Sequence, residues 1–366
     1  MAFIQHSHRG IGLELSNLCN MQGICKHCDG AIGTYGFDPR FMPAETLEVI
    51  KKEIKKFFSS ITYSGGEVAC YPELIEELIS SINLPYTLMT NGLKIIKGVR
   101  PKLVLVSIDP PDIRRGIDNQ KIMENVLLYD CDLSVNTVFS AQTDIFELYS
   151  LLKETQKKLK RKGMHIREWK IGFLVESGLA LQNRSIFPSW DEIFMQLAKF
   201  IPIYFKEVPF HLAIRGIFYT KNLLNLENEN PRINLSLNPC QYCFNRLYYT
   251  VINLEGKLQL CTVARNIAIQ VDRSCSLEDA LSKIGSCKEL KELTYDYWSE
   301  CLLCKYFSLC AGGCPGLAYI YTGQWTGRDV YQCEIMKNTE HFLLPVLPLK
   351  LRQVFENGID QKGKMY

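Results

Sequence analysis

Between residues 11 and 180 the apolar positions switch back and forth between two periods. Short apolar runs at 11–15, 60–63, 86–89, 103–108, 133–139 and 169–175 have the length and side chains of strands. Between them, stretches at 44–58, 71–82 and 146–159 repeat their apolar side chains at helical spacing. In the first of these the repeat is Leu47, Ile50, Ile54 and Phe57/Phe58. A further amphipathic pattern covers 188–205. Strand–helix–strand alternation predicts an α/β fold with a parallel sheet or partial barrel. In such folds ligands bind at the C-terminal ends of the strands, where the loops converge.

The pattern breaks at 222–239, which holds six Asn, two Glu and two Pro and reads as a linker or long loop. Ten of the fifteen cysteines follow it, so the expected boundary lies near 230, with an α/β unit over 1–230. A cysteine-rich unit is expected over 231–340, with a tail over 341–366. Lys157–Lys162 carries five basic residues in six and reads as a solvated helix end.

Composition narrows the class. A chain of 366 residues with 47% hydrophobic and 22% charged side chains is an ordinary globular protein, and its core needs no disulfides. A net charge of +3 gives no strong steering field, so no nucleic-acid partner is expected. No run approaches the roughly 18 apolar residues of a membrane span, and residues 1–12 contain no apolar signal region. A cytoplasmic protein without a membrane partner is expected. Fifteen cysteines clustered at short spacings then read first as metal ligands, not as a disulfide scaffold.

Cys19, Cys25 and Cys28 follow directly on the first predicted strand. Three thiolates at a barrel mouth can hold three irons of a [4Fe–4S] cluster and leave the fourth open to a ligand. Three buried or zinc-binding cysteines are the plainer alternative. Farther on, Cys301-x2-Cys304-x5-Cys310-x3-Cys314 is followed by Cys333. At this cysteine frequency such a row arises by chance about once in a thousand. Ahead of it stand Cys240 and then Cys243-x12-Gly256-x4-Cys261, where Gly256 suits a tight turn between strands at 248–254 and 257–260. Zinc remains the structural alternative for four-cysteine sites. Cys70, Cys131, Cys275 and Cys287 read as small buried hydrophobes.

Together these motifs resemble the radical S-adenosylmethionine enzymes with a SPASM extension. That family reads C-x3-C-x2-C after its first strand; here the spacing is C-x5-C-x2-C. The longer loop costs only about 0.4 kcal/mol in closure entropy. His27 stands where the family has an aromatic residue near the adenine. Gly65-Gly66-Glu67 ends the second strand like the family's GGE motif, which holds the methionine part of S-adenosylmethionine. Its glycines permit positive φ and close approach to a ligand, and Glu67 can accept from an ammonium. Thr90-Asn91-Gly92 follows the third strand, as in many relatives. Ser107 and Asn136 are the expected contacts to the ribose and carboxylate.

By the same resemblance the fold is a partial (β/α)6 TIM-like barrel with a cysteine-rich extension containing a β-hairpin. Cys240, Cys243, Cys261 and Cys314 are expected to hold one auxiliary [4Fe–4S] cluster. Cys301, Cys304, Cys310 and Cys333 are expected to hold a second, which makes three clusters in all. The implied activity is reductive cleavage of S-adenosylmethionine to a 5′-deoxyadenosyl radical that modifies a peptide or protein, in a cleft between barrel and extension. An electron donor such as flavodoxin or ferredoxin is implied. Only eighteen residues precede Cys19, so a leader-peptide-binding module is expected to be absent or supplied by a separate chain. The sulfatase-maturing branch has an Asp after the cysteine of G-x4-C; here Thr262, a poor base, counts against formylglycine formation. Oxidation of a small metabolite, and a non-catalytic Fe–S carrier or zinc module, stay open as other readings.

Overall fold

The computed structural model describes residues 10–219, 250–287 and 301–360, apart from positions 115, 261, 264, 302 and 311. Seven strands run parallel in chain order. They are β1 (Gly10–Glu14), β2 (Ser60–Ser64), β3 (Tyr86–Thr90), β4 (Leu103–Ser107), β5 (Asp132–Phe139), β6 (Ile166–Phe173) and β7 (His211–Ile214). The six strands expected from the sequence are all present. β7 is a four-residue addition, and β8 (Phe218–Tyr219) folds back antiparallel on it.

At the other edge β9 (Val251–Ile252) lies parallel to β1, with Gly12 opposite Val251. A Cβ on Gly12 would stand 3.1 Å from the Val251 side chain, a tight fit that a bare glycine relieves. β10 (Lys257–Gln259) and β11 (Ala268–Gln270) continue antiparallel from β9. The expected hairpin therefore extends the barrel sheet beside β1. The expected linker at 222–239 and the start of the hairpin at 248–249 lie outside the described residues.

The helices are α1 (Ala31–Tyr35), α2 (Ala44–Glu53), α3 (Pro72–Ile82), α4 (Asn119–Val126), α5 (Ile145–Lys160) and α6 (Trp190–Glu207). After the hairpin come α7 (Leu277–Gly285), α8 (Phe307–Cys310), α9 (Pro315–Thr322), α10 (Val330–Asn338) and α11 (Leu349–Asp360). Several begin on side-chain caps. Asp144 accepts from the Phe146 and Glu147 amides, and Ser189 with Glu192 forms a capping box. No helix among the described residues is long and apolar enough to cross a membrane.

Strand alternation separates two faces. Ile11, Leu13, Val104, Val106, Leu133 and Trp169 are buried outward against the helices. Trp169, for example, meets Phe200 of α6 edge-on at 5.7 Å and donates through Nε1 to Thr137 Oγ1 at 2.9 Å. The alternate positions, among them Gly12, Glu14, Ser64, Ser107, Asn136 and Lys170, are half-exposed and mostly small or polar. That inner face is the one open to a ligand.

The C-terminal helices close over one side of the mouth. Tyr331 of α10 donates to Leu174 O at 2.9 Å, and Gln332 Nε2 donates to Gly216 O at 2.9 Å. Trp190 packs edge-on against Tyr331 at 5.1 Å.

Candidate functional site

The chain leaves β1 into a loop held by its own polar side chains. Ser16 Oγ donates to Arg40 O at 2.7 Å, and Asn17 Nδ2 donates to Gly36 O and Asp38 O. The long stretch between Cys19 and Cys25 is taken up as a turn: Ile24 N and Cys25 N both donate to Met21 O, and Gly23 sits at φ +76°. Met21 is buried beneath it. Cys25 then forms an isolated antiparallel bridge with Arg114, and Lys26 N donates to Ile113 O at 3.2 Å. Cys28 O accepts from Leu179 N at 3.0 Å. A Cβ on Gly33 or Gly178 would lie 1.8 or 2.4 Å from that carbonyl oxygen, so both positions require glycine.

Cys19, Cys25 and Cys28 are half-buried and not disulfide-bonded. Burial pushes the Cys19 thiol up to about 12, with Glu67, Cys25 and Cys28 adding to the rise. Burial also raises Cys25, to about 11, against the pull of the Arg114 guanidinium. Both are therefore thiols at neutral pH, and ligation to iron would release their protons. Among the described residues no three Cys, His, Asp or Glu converge as on a single ion. Thiolates around one zinc at 2.3 Å stand only about 3.8 Å apart, whereas ligands on separate irons of a cluster stand farther apart.

The Gly65-Gly66-Glu67 turn is built against this loop. Gly66 N donates to Ser16 O at 2.6 Å and Glu67 N to Leu18 O at 2.8 Å. A Cβ on Gly66 would lie 2.2 Å from Leu18 O, and Gly65 has φ +135° with Ser16 O 2.4 Å from its Cβ position. What these glycines approach closely is the cysteine loop itself. Gly66→Ala should force the two loops apart at a cost of roughly 1–3 kcal/mol. Its melting temperature should fall; an unchanged value would contradict this packing.

Glu67 is buried to 1% exposure. Its Oε1 accepts from Thr90 Oγ1 at 2.7 Å and Ala69 N at 3.1 Å, and its Oε2 accepts from Asn91 N at 2.7 Å. Asn91 Nδ2 in turn donates to Asn20 Oδ1, inside the cysteine loop, at 2.7 Å. Burial raises the Glu67 pKa, opposed by these hydrogen bonds and by Arg114. A carboxylate has about four acceptor sites, so Oε2 keeps one for a further donor.

Opposite, at the end of β4, lies a buried ion pair. Arg114 Nη2 stands 2.9 Å from Asp109 Oδ2, and Arg114 Nη1 donates to Ser107 O at 2.9 Å. Asp109 Oδ1 accepts from Val138 N at 2.9 Å. His27 Nε2 lies 4.0 Å from Asp109 Oδ2, and burial lowers the His27 pKa, which favours neutral imidazole. The register puts Ser107 beside Asn136 on the inner face. His27 Nδ1, Ser134 Oγ and Asn136 Oδ1 are buried without a hydrogen-bond partner among the described residues. Such orphans ask for a ligand or water.

In the C-terminal segment, burial pushes the Cys310 thiol up to about 12, and Cys301, Cys304 and Cys333 add to the rise. Arg328 also feels Cys333, Cys301 and Cys304, and its Nε donates to Cys333 Sγ at 3.2 Å. Cys314 caps the start of α9, where its amide donates to Asp329 Oδ2 at 2.8 Å. Cys240, Cys243 and Cys261 lie outside the described residues. Arg265, four residues past Cys261, donates to Asp29 O at 2.8 Å and so ties this segment to the Cys28 loop.

Sequence reasoning missed Arg114, Arg265 and Asn20. Nothing local marks them: Asn20 and Arg265 act through Asn91 and Asp29, far away in the chain, and a lone arginine five residues past Asp109 forms no pattern.

No family model and no curated protein matches the sequence. Solved structures do. His6-tagged anSMEcpe with bound AdoMet superposes with a TM-score of 0.62 at 17% identity, over 95% of this chain and 99% of that one. Streptococcus suis SuiB bound to S-adenosylmethionine superposes at 0.59 and 15% identity, over 89% of this chain and 77% of that one. SuiB bound to precursor peptide SuiA superposes at 0.58 and 16% identity, over 89% and 76%. The fold is that of the radical S-adenosylmethionine enzymes. A match over 95% of the chain takes in the C-terminal helices as well as the barrel. Within the radical S-adenosylmethionine fold, the Cys19–Cys28 loop and Glu67 occupy the C-terminal ends of the first two barrel strands.

Proposed function

We propose that this chain is a radical S-adenosylmethionine enzyme of the SPASM type that modifies a peptide or protein. The observation that carries the proposal is the lock between the Cys19–Cys28 loop and the Gly65-Gly66-Glu67 turn, made by Gly66 N to Ser16 O and Glu67 N to Leu18 O. Orphaned polar atoms on His27 and Asn136, and an unused acceptor site on Glu67, fit a polar ligand beside the thiols. When bound, a [4Fe–4S] cluster with one open iron supplies the electron that cleaves S-adenosylmethionine to methionine and a 5′-deoxyadenosyl radical.

The chain's own groups do the rest. Cys19, Cys25 and Cys28 hold three irons. Glu67 accepts from the ammonium of S-adenosylmethionine, while Thr90 and Asn91 keep its carboxylate oriented. Ser107 and Asn136 offer polar contacts from adjacent strands, and the neutral ring of His27 offers a flat face. Cys301, Cys304, Cys310 and Cys333 hold one auxiliary cluster; Cys240, Cys243, Cys261 and Cys314 hold the other. An electron donor of the flavodoxin or ferredoxin kind supplies the reducing equivalents.

Two observations support a peptide substrate. One similar structure, SuiB, is bound to a precursor peptide. And a cavity of about 370 Å³ lies between the β6 end and α10, lined by Phe173, Phe187, Trp190, Tyr321 and Tyr331 together with Arg328 and two glutamates. Phe173 and Trp190 belong to the outer layer, so this cavity suits a part of the substrate remote from the reacting atom. Thr262 is no base, so the proposed reaction is a cross-link or oxidation other than formylglycine formation.

Anaerobically reconstituted protein should approach about twelve irons per chain, four for each cubane cluster. A stable four or fewer at full activity would remove the auxiliary clusters. Deuterium passing from a labelled peptide into 5′-deoxyadenosine supports the peptide reading. Transfer only from a small metabolite would overturn it.

A further inference from the structure

Arg114 is a permanent cation in an almost dry place. Its side chain is 7% exposed and that of its partner Asp109 is 2% exposed. Burying such a pair is costly, and a well-packed apolar pair commonly does the structural work as well or better. Asp109 accounts for one prong of the fork, and the Ser107 carbonyl accounts for another. Beyond these, Nε is buried without a hydrogen-bond partner among the described residues, and the Cys25–Arg114 bridge brings the Cys25 sulfur within electrostatic reach of the guanidinium. A neutral thiol is a weak acceptor, so a charged group gains little beside it. A thiolate is a matched partner.

The backbone repeats the message. The Cys25–Arg114 bridge and the Lys26 N to Ile113 O bond hold the far end of the long Cys19–Cys25 turn against the β4 loop. One residue thus fixes Cys25 in space and sets the charge facing its sulfur. Arg328 donates to Cys333 in the C-terminal segment, but it is exposed, where water and salt weaken the contact.

We propose that Arg114 is a positioning residue for the Cys19–Cys25–Cys28 cluster that also raises its reduction potential by setting a buried positive charge, held by Asp109, beside Cys25. The inference rests on the reading of these three cysteines as cluster ligands. Hydrogen bonds to cluster sulfurs and nearby charge are the protein's main levers on potential. Removing a buried positive charge should disfavour the more negative, reduced cluster.

The test is an EPR-monitored redox titration of the reconstituted full chain as wild type, Arg114→Gln, Arg114→Lys and Arg328→Gln. Signals of the Cys19→Ala/Cys25→Ala/Cys28→Ala variant are subtracted. Arg114→Gln should lower the equilibrium constant for one-electron reduction of this cluster at least tenfold, equal to 59 mV. Arg114→Lys, which keeps the charge but loses the fork, should fall between, and Arg328→Gln should leave this cluster unmoved. If Arg114→Gln instead loses the cluster's iron, an unchanged melting temperature of the iron-free protein and recovery of iron in Arg114→Lys support the positioning role. Full iron with an unchanged potential overturns the proposal. A melting temperature that falls in both Arg114 variants, with iron lost in both, also overturns it and leaves a purely structural ion pair. A subtraction that removes no signal from wild type would instead defeat the cluster reading itself, and the proposal with it.

Discussion

Alanine at Cys19, Cys25 and Cys28 together should reduce 5′-deoxyadenosine formation to background and leave the C-terminal clusters spectroscopically intact. Loss of an outer-shell partner typically costs a metal site roughly 10–100-fold; loss of all three ligands should exceed that. The separation of effects follows from the chain. The three thiols sit on one loop between β1 and α1, while Cys301, Cys304, Cys310 and Cys333 are grouped near α8 and α10. Undiminished product in the triple variant would show that the C-x5-C-x2-C loop is not the site of cleavage.

The second large effect is expected at Glu67. Alanine there removes the acceptor for Thr90 Oγ1, Ala69 N and Asn91 N at once. Each buried donor left without a partner costs about 1–3 kcal/mol. The Asn91–Asn20 bond that ties β3 to the cysteine loop loses its support as well. The ammonium of S-adenosylmethionine loses a charged acceptor, worth roughly 1.5–3 kcal/mol, or about a tenfold to hundredfold loss in affinity. Equilibrium dialysis of the reconstituted Glu67→Ala protein measures this directly, with Glu67→Gln as the shape-preserving comparison. Unchanged affinity in Glu67→Ala would remove Glu67 from the ligand site.

The six core strands were legible because each is buried on its outer face and flanked by a helical pattern. Leu103-Val104-Leu105-Val106 and Trp169 with Ile171 and Phe173 are plain examples. β7 escaped because His211–Ile214 is only four residues long and follows α6 almost directly. α4 escaped because Asn119–Val126 is short and buries only Ile122, Met123 and Val126. The hairpin was visible in Gly256, but its pairing with β1 was not, since strand partners more than two hundred residues apart leave no local mark.

The site shows the same division. Cysteine spacing and the Gly65-Gly66-Glu67 turn are local and were readable. That the two glycines serve a loop–loop contact became clear only with Ser16 and Leu18 beside them. Arg114 was invisible because a single arginine in a loop has no pattern; its meaning lies in Asp109, Ser107 and Cys25 converging on it.

The central claim is tested most directly by incubating the anaerobically reconstituted wild-type chain with S-adenosylmethionine and a strong one-electron reductant, then separating the products by chromatography. Methionine and 5′-deoxyadenosine should form in equal amounts, and only with reductant present. Full iron loading with S-adenosylmethionine left intact would contradict that claim.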